Sequence, residues 1–513
     1  LHEIHEKNER SVRMKFKTIK KYLLSISVIM TIIGGSAYFI KEAKASPIKD
    51  PLLREDVLRE LELEEYEDDY TRPNKEDIGQ LTELIHDYDM RRYDGVKTLK
   101  GLEHATDLEV LIVNANEIES VRPLEDLTKL HTLDLSYFKG DDTHAFGAPE
   151  RRIKDIQPLE KLTNLKELHL SGNNITDFSV LQHLPKLEEL YLSENGMKEL
   201  PEEIADLEHL RILYLPFNQI EDISLLEGLT KLEALNLDDN EITNFDVLAN
   251  FIELTYLNID NVPWDEYSVD SLEFLTHLPK LEEAHLTIYE DTDETPIQHL
   301  VNMKKLHIYN SKLTNLDFVK EMPELEELNV ASGEIESLEP LAHASKLKSL
   351  DVSGNPIADL EPLRELNKLE ELDVSSNDIQ SLEPLKDLTE LRLLDANAND
   401  ITSLGPLKKL TELEHLGIYT NQLTDLDVVS HLEELTTLWI SENEINDIEP
   451  VSNATKLTYI TMENNQVEDI RPLKTLTDLE YLSLMGNPVE NDTEQLVELK
   501  KKIPTLQTID ALE

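Results

Sequence analysis

The sequence predicts an α/β repeat solenoid: a horseshoe with a parallel concave sheet, short helical or 3₁₀ turns on its convex side, and a helical N-terminal cap. Three observations carry the prediction. The pattern LxxLxLxxNxI recurs from Leu108 almost to the C-terminus, an Asn column marks most copies, and a proline follows many of those positions at a constant distance. From Ser311 to Asn487 the period is 22 residues without a slip.

The first segment, residues 1–45, reads as a signal peptide or an N-terminal membrane anchor. Lys15, Lys17, Lys20 and Lys21 precede an uncharged run from Tyr22 to Ile40, and Ala43-Lys44-Ala45 forms a small-x-small cleavage site before Ser46. Gly34-Gly35 within the run favours cleavage; the other reading is an uncleaved single span, since 19 residues can just cross a bilayer of about 30 Å. Either way the lysines stay inside and the rest of the chain lies outside the cytoplasm. Met14 offers an alternative start just ahead of the lysines, so residues 1–13 are assigned no function.

Residues 46–95 read as an acidic helical cap. Asp50-Pro51 is a helix cap followed by a first-turn proline, with Leu53, Val57 and Leu61 on one face. Asn74 can cap a second helix carrying Ile78, Leu81 and Leu84.

The array, 96–490, follows. Its Asn column comprises Asn116, Asn173, Asn195, Asn218, Asn240 and then every 22nd residue from Asn355 to Asn487. Phe138, Val262, Tyr289, Ser311 and Gly333 occupy the same place, which makes 17 repeats. Within Leu369 to Ile379, Leu369, Leu372, Val374 and Ile379 point inward, while Glu371, Asp373 and Ser375 alternate outward with the period of a strand. One repeat cannot cover its own apolar side, so neighbours must stack. The Asn side chain can satisfy backbone groups where the chain leaves the strand, which makes that column structural. Proline stands seven residues later, as at Pro384 and Pro472; it tolerates the first turn of a helix but not a central strand, so this is the convex return. Residues 491–513 form a C-terminal cap, with Leu496 and Leu499 on a helix before a final irregular strand.

The strand LxxLxLxxNxI joined to a DIxPLxxLTxL return, as in Asp469-Ile470-Arg471-Pro472-Leu473, resembles the internalin-type leucine-rich repeats of Gram-positive bacterial surface proteins. The opening from Val96 to Leu108 is similar to the first repeat of such arrays, and the resemblance covers roughly Asp50 to Glu513. It implies the fold and a cell-surface binding role, but not a ligand, because family members bind different partners through different concave residues. No LPxTG-type signal and no immunoglobulin-like module follows these repeats, so wall anchoring and host-receptor binding are not carried over.

Composition narrows the partners. There are no cysteines, which excludes disulfides and thiolate metal sites. Beyond residue 45 the chain holds 40 Lys+Arg against 101 Asp+Glu, a net charge of −61. That surface repels nucleic acid and anionic lipid, so membrane contact is expected only through an uncleaved N-terminal segment. A protein or polysaccharide ligand is expected; the charge reads first as solubility for a large extended surface, with a cationic partner or a saline or alkaline habitat as the alternatives, and oligomeric state is not legible. No HExxH, GxSxG, Walker or EF-hand pattern occurs, so no catalytic residue, metal site or cofactor is expected and the chain is read as not an enzyme. Asp238-Asp239 and Asp291-Thr292-Asp293 read as solvated charge rather than Ca²⁺ ligands.

Function must then lie where the copies disagree. Tyr419, Trp439, Tyr459 and Tyr481 fall on neighbouring strands as a diagonal of large aromatics and form the leading ligand-binding candidate. A second, less compact patch comprises Tyr191, Tyr214, Phe217 and Tyr256 with His169, His285 and His307. Insertions of 13 residues between Ser136 and Arg152 and of five between Val262 and Tyr289, the latter region carrying Trp264, bracket it. The expected function is extracellular or cell-surface recognition or adhesion. The alternative is a scaffold similar to the leucine-rich regulators of phosphatases, which would require an intracellular location.

Overall fold

The computed structural model describes residues 46–63, 73–86, 95–114, 117–137, 152–260, 271–288, 292–309 and 313–510. The segment expected to be a signal peptide or anchor, the 13-residue insertion from residue 138 onward, Asn116 and Trp264 lie outside these residues. Among the described residues no helix is long and apolar enough to cross a membrane.

Each repeat contributes a strand of three to five residues and a 3₁₀ turn, and among the described residues 19 parallel strands form one sheet. They pair in chain order and in strict register: Glu371 lies beside Ser349 and Leu393, and Asp373 beside Asp351 and Asp395. The register follows from the period, since a one-residue slip would expose every inward leucine. Leu369, Leu372, Val374 and Ile379 are fully buried, as the pattern predicts. The prolines lie in the first positions of the returns, as Pro384 does in the turn Glu383–Leu385.

The Asn column is a hydrogen-bonded ladder. Asn377 Nδ2 donates to the carbonyls of Val352 (3.1 Å), Val374 (3.0 Å) and Ser375 (3.0 Å), and its Oδ1 accepts the Ile357 N–H at 3.0 Å. Val352 and Ile357 belong to the preceding repeat, so each amide joins two copies. The residue before this column turns left-handed; Ser376, Ala398 and Thr420 have φ of 53°, 50° and 54°. Where Val262, Tyr289 and Ser311 replace the Asn, the preceding strands are longer: Tyr256–Ile259, Glu283–Thr287 and Lys305–Tyr309. There, ladder pairing continues where the amide elsewhere takes over.

The N-terminal region differs in part from the expected all-helical cap. Helix α1 (Pro51–Glu60) starts at Asp50, whose carboxylate accepts the N–H groups of Leu52 and Leu53, and α2 (Lys75–Ile78) starts at a capping box on Asn74. Leu84, however, is not helical. Strand β1 (Glu83–Ile85) adds to the sheet with Leu84 beside Leu111, because pairing with the open edge of the first repeat satisfies backbone groups that another helical turn would leave exposed. At the other end α3 (Thr493–Lys502) buries Leu496 and Leu499, and β19 (Thr508–Asp510) pairs with the last repeat strand.

Candidate functional site

On the sheet face the outward positions of each strand form columns that run across the array, because parallel strands in register set equivalent residues about 4.8 Å apart. What occupies a column therefore meets its own kind in the next repeat, and rings stack.

The patch expected to be less compact is the continuous one. Strands β4 (Glu167–His169), β5 (Glu189–Tyr191) and β6 (Ile212–Tyr214) place His169, Tyr191 and Tyr214 side by side. His169 stacks on Tyr191 with ring centroids 3.9 Å apart, and Tyr191 on Tyr214 at 5.0 Å. β7 (Ala234–Asn236) brings an Asn to that column, and the aromatic line steps diagonally to Tyr256 on β8 (Tyr256–Ile259), 5.9 Å from Tyr214. It returns through His285 on β9 (Glu283–Thr287) to His307 on β10 (Lys305–Tyr309), the two imidazoles stacked 4.4 Å apart and nearly parallel at 7°. Tyr309, which column counting passed over, closes the line 6.2 Å from His307. It was legible as the third outward position of its strand, but the Asn that marks this position elsewhere is replaced here by Ser311.

Phe217 does not join this line. It occupies the left-handed corner before Asn218, with φ of 56°, where the chain has already turned out of the strand column.

Carboxylates flank the rings. Glu167 pairs with His169 (2.9 Å), Glu283 with His285 (3.2 Å) and Glu327 with His307 (3.2 Å), while the Tyr191 hydroxyl donates to Glu189 at 3.2 Å. Burial lowers the His307 pKa, and the stacked His285 adds to the effect. Burial also raises the Tyr214 phenol, and pushes the Tyr309 phenol up to about 12.

On the opposite flank stand Asp238 and Asp260, and here a sequence expectation is corrected. Asp238 is not a solvated charge: burial first, then the neighbouring Asp260 and Asp239, push its carboxyl up to about 7. Asp260 is raised too, chiefly by burial, although Thr287 Oγ1 donates to it. The consequence for stability has a definite sign. Between the ordinary value of 3.8 and about 7 the folded chain holds a proton that the unfolded chain has lost, so stability falls as pH rises through that window. Replacing Asp238 by Asn should therefore raise the unfolding temperature at pH 8, by a degree or more, and make no difference below about pH 4. Thermal melts of both proteins at the two pH values test this, and an equal shift at both would contradict it.

The leading aromatic candidate divides. Tyr459 and Tyr481, on Tyr459–Thr461 and Tyr481–Ser483, stack at 4.4 Å and 8°. The Tyr481 hydroxyl donates to Asp510, which with burial raises its pKa. Trp439 instead meets His415 edge-on at 4.6 Å, and His415 is held by Asp395 at 2.9 Å. Among the described residues no ring contact joins Tyr419 or Trp439 to the tyrosine pair. The expected diagonal fails because first-column Tyr459 and second-column Trp439 are diagonal neighbours, and the Trp ring turns toward the preceding strand. Beside it Gly417 leaves room for Asp395 and Asn397 to lean in; a Cβ there would lie 2.9 Å from Asn397 Nδ2.

Comparison with known proteins follows the same outline. The family described as Leucine-rich repeat region matches residues 147–339, and the one described as Leucine Rich repeats (2 copies) matches 345–387, 389–432 and 433–475. Internalin C2 from Listeria monocytogenes is similar at 30% identity, over 37% of this chain and 83% of that chain, with a TM-score of 0.36. A leucine-rich repeat protein of Leptospira interrogans is 20% identical over 81% of this chain and 98% of that one, with a TM-score of 0.56. The ectodomain of a membrane receptor kinase from Arabidopsis thaliana, solved in complex with Casparian strip integrity factor 2, is 19% identical over 76% of this chain and 48% of that one, with a TM-score of 0.51. None of the curated proteins compared matches significantly.

Proposed function

The chain belongs to the leucine-rich repeat proteins, with repeats of the internalin type, and we propose that it is a non-enzymatic recognition or adhesion protein that holds a protein ligand on its sheet face outside the cytoplasm. One observation carries the reading: an unbroken line of contacting rings from His169 to Tyr309, all stacked but for the tilted Tyr256–His285 pair, on a face that no other described element covers. Large aromatic side chains ordered by their neighbours present contact area at little entropic cost, which is why they dominate binding interfaces. A plant peptide hormone receptor of similar fold, with a TM-score of 0.51, was solved in complex with RGF2, which supports a protein over a glycan. The lysine cluster and apolar run before Ser46 support the location.

The test is a double variant, Tyr191→Ala with Tyr214→Ala, checked for retained folding by circular dichroism. Against peptides selected from a randomised display library on the native chain, it should bind at least about tenfold more weakly. The companion variant Tyr459→Ala with Tyr481→Ala should bind normally. Selected peptides that hold both variants equally well would remove the ladder as the binding face. Sequencing the N-terminus of the mature protein from fractionated cells tests the location.

A further inference from the structure

We propose that the ligand segment lying on this ladder is a basic, extended stretch of polypeptide, with a lysine or arginine side chain placed between Asp238 and Asp260. The inference rests on the binding reading above and names the chemistry of the partner.

The rings do not present their faces. Stacking at 3.9 Å and 15° for His169 on Tyr191, and at 4.4 Å and 7° for the histidine pair, uses the ring faces internally. A sugar needs an open aromatic face to stack on, so a polysaccharide finds little here. What the ladder offers outward is ring edges, phenol oxygens and imidazole nitrogens, which suit a peptide backbone and its side chains.

Charge decides the rest. On this face Lys305 already lies between Glu283 (3.9 Å) and Glu327 (3.5 Å). The chain's other cations nearby are engaged beside the face: Lys304 with Glu282 at 2.7 Å, Lys348 with Glu326 at 2.6 Å, Arg211 with Glu233 at 2.5 Å. Among the described residues no cation pairs with Asp238 or Asp260. Two half-buried carboxylates lie just past the ends of adjacent strands, about 4.8 Å apart by register; Asp260 raises the energy of the Asp238 carboxylate, and the Thr287 hydroxyl and His285 offset the burial of Asp260 only in part. An incoming ammonium or guanidinium would offset both; a neutral or acidic segment would not. The ladder crosses six strand steps from β4 to β10, about 29 Å, which an extended segment of about nine residues spans.

The experiment uses the full chain and three synthetic peptides of about nine residues, alternating alanine with lysine, with glutamine or with glutamate. Isothermal calorimetry at low salt should show binding of the lysine peptide alone. The paired variant Asp238→Asn with Asp260→Asn should weaken it at least about tenfold, and the exposed control Glu433→Gln with Glu449→Gln, which removes at least as much charge, by less than about twofold. Equal weakening by the two variants would mean that only the general field of the acidic surface is at work, and would overturn the proposal. The display selection separates the two levels. Selected peptides that need Tyr191 and Tyr214 but are not basic, and that ignore the Asp238→Asn and Asp260→Asn changes, would defeat this inference while leaving the binding function standing. Peptides indifferent to the tyrosines would defeat both.

Discussion

Replacing Asn377 by alanine should lower the unfolding free energy by roughly 2–4 kcal/mol. The amide makes four hydrogen bonds to backbone groups of two repeats, and the residue is buried. Alanine leaves the Ile357 N–H unpaired, at about 1–3 kcal/mol where water cannot enter, and removes one of two donors from each carbonyl, since Val352 keeps Asn355, Val374 keeps Asn399 and Ser375 keeps the Gly354 N–H. Because each repeat contacts only its neighbours, the damage should appear as local opening, with amide exchange accelerated around Ile357 and Val374 before the ends respond. Asp378→Ala, one residue on and exposed, serves as the control and should change stability by no more than about 0.5 kcal/mol. Denaturant unfolding and hydrogen exchange measure both; a loss below about 1 kcal/mol for Asn377→Ala would mean that the ladder is not what joins the copies.

Gly101→Ala should release the N-terminal cap. Gly101 has φ of 112°, and a Cβ built on it would lie 2.5 Å from the backbone carbonyl of Pro47 and 2.6 Å from the Ile48 nitrogen. These are main-chain atoms and cannot swing away. The segment they belong to is held by Lys49 N–H to the Lys100 carbonyl at 3.0 Å and by Lys97 N–H to the Asp50 carboxylate at 2.8 Å, so a methyl group here pushes against the whole docked segment. We expect a cost of about 3 kcal/mol or more and loss of exchange protection from Leu53 to Leu58. Gly196→Ala is the comparison: its φ is 68° but nothing lies within 4 Å of the added carbon, so only the left-handed penalty of about 1–2 kcal/mol applies. If both variants melt alike and the cap stays protected, the close approach at Pro47 is not what seats it.

How much was legible depends on whether a feature repeats. The inward leucines, the bridging role of Asn and the proline returns are each stated many times over in the chain, so noise in one copy is corrected by the next. The cap was partly legible: Asp50-Pro51 and Asn74 announced their helices by side chains that act on their own backbone neighbours. Strand β1 was not, because Glu83–Ile85 is a strand only by virtue of the repeat edge beside it. The aromatic columns are legible in the chain, but the contacts within them are not. The columns hold Tyr191, Tyr214, Tyr256, His285 and His307 without telling that these rings touch, or that Trp439 stays apart from the tyrosine pair.

The sequence by itself determined the period, the inward set, the amide ladder and the acidic sheet face, since stacking in one dimension makes each residue's neighbour its own counterpart 22 positions away. Only the tertiary structure decided which rings stack and which carboxylates resist ionisation. A ring chooses between neighbours on two sides by rotamer, and the pKa of Asp238 depends on how much protein and how many charges surround it, quantities that exist only once several repeats have packed together.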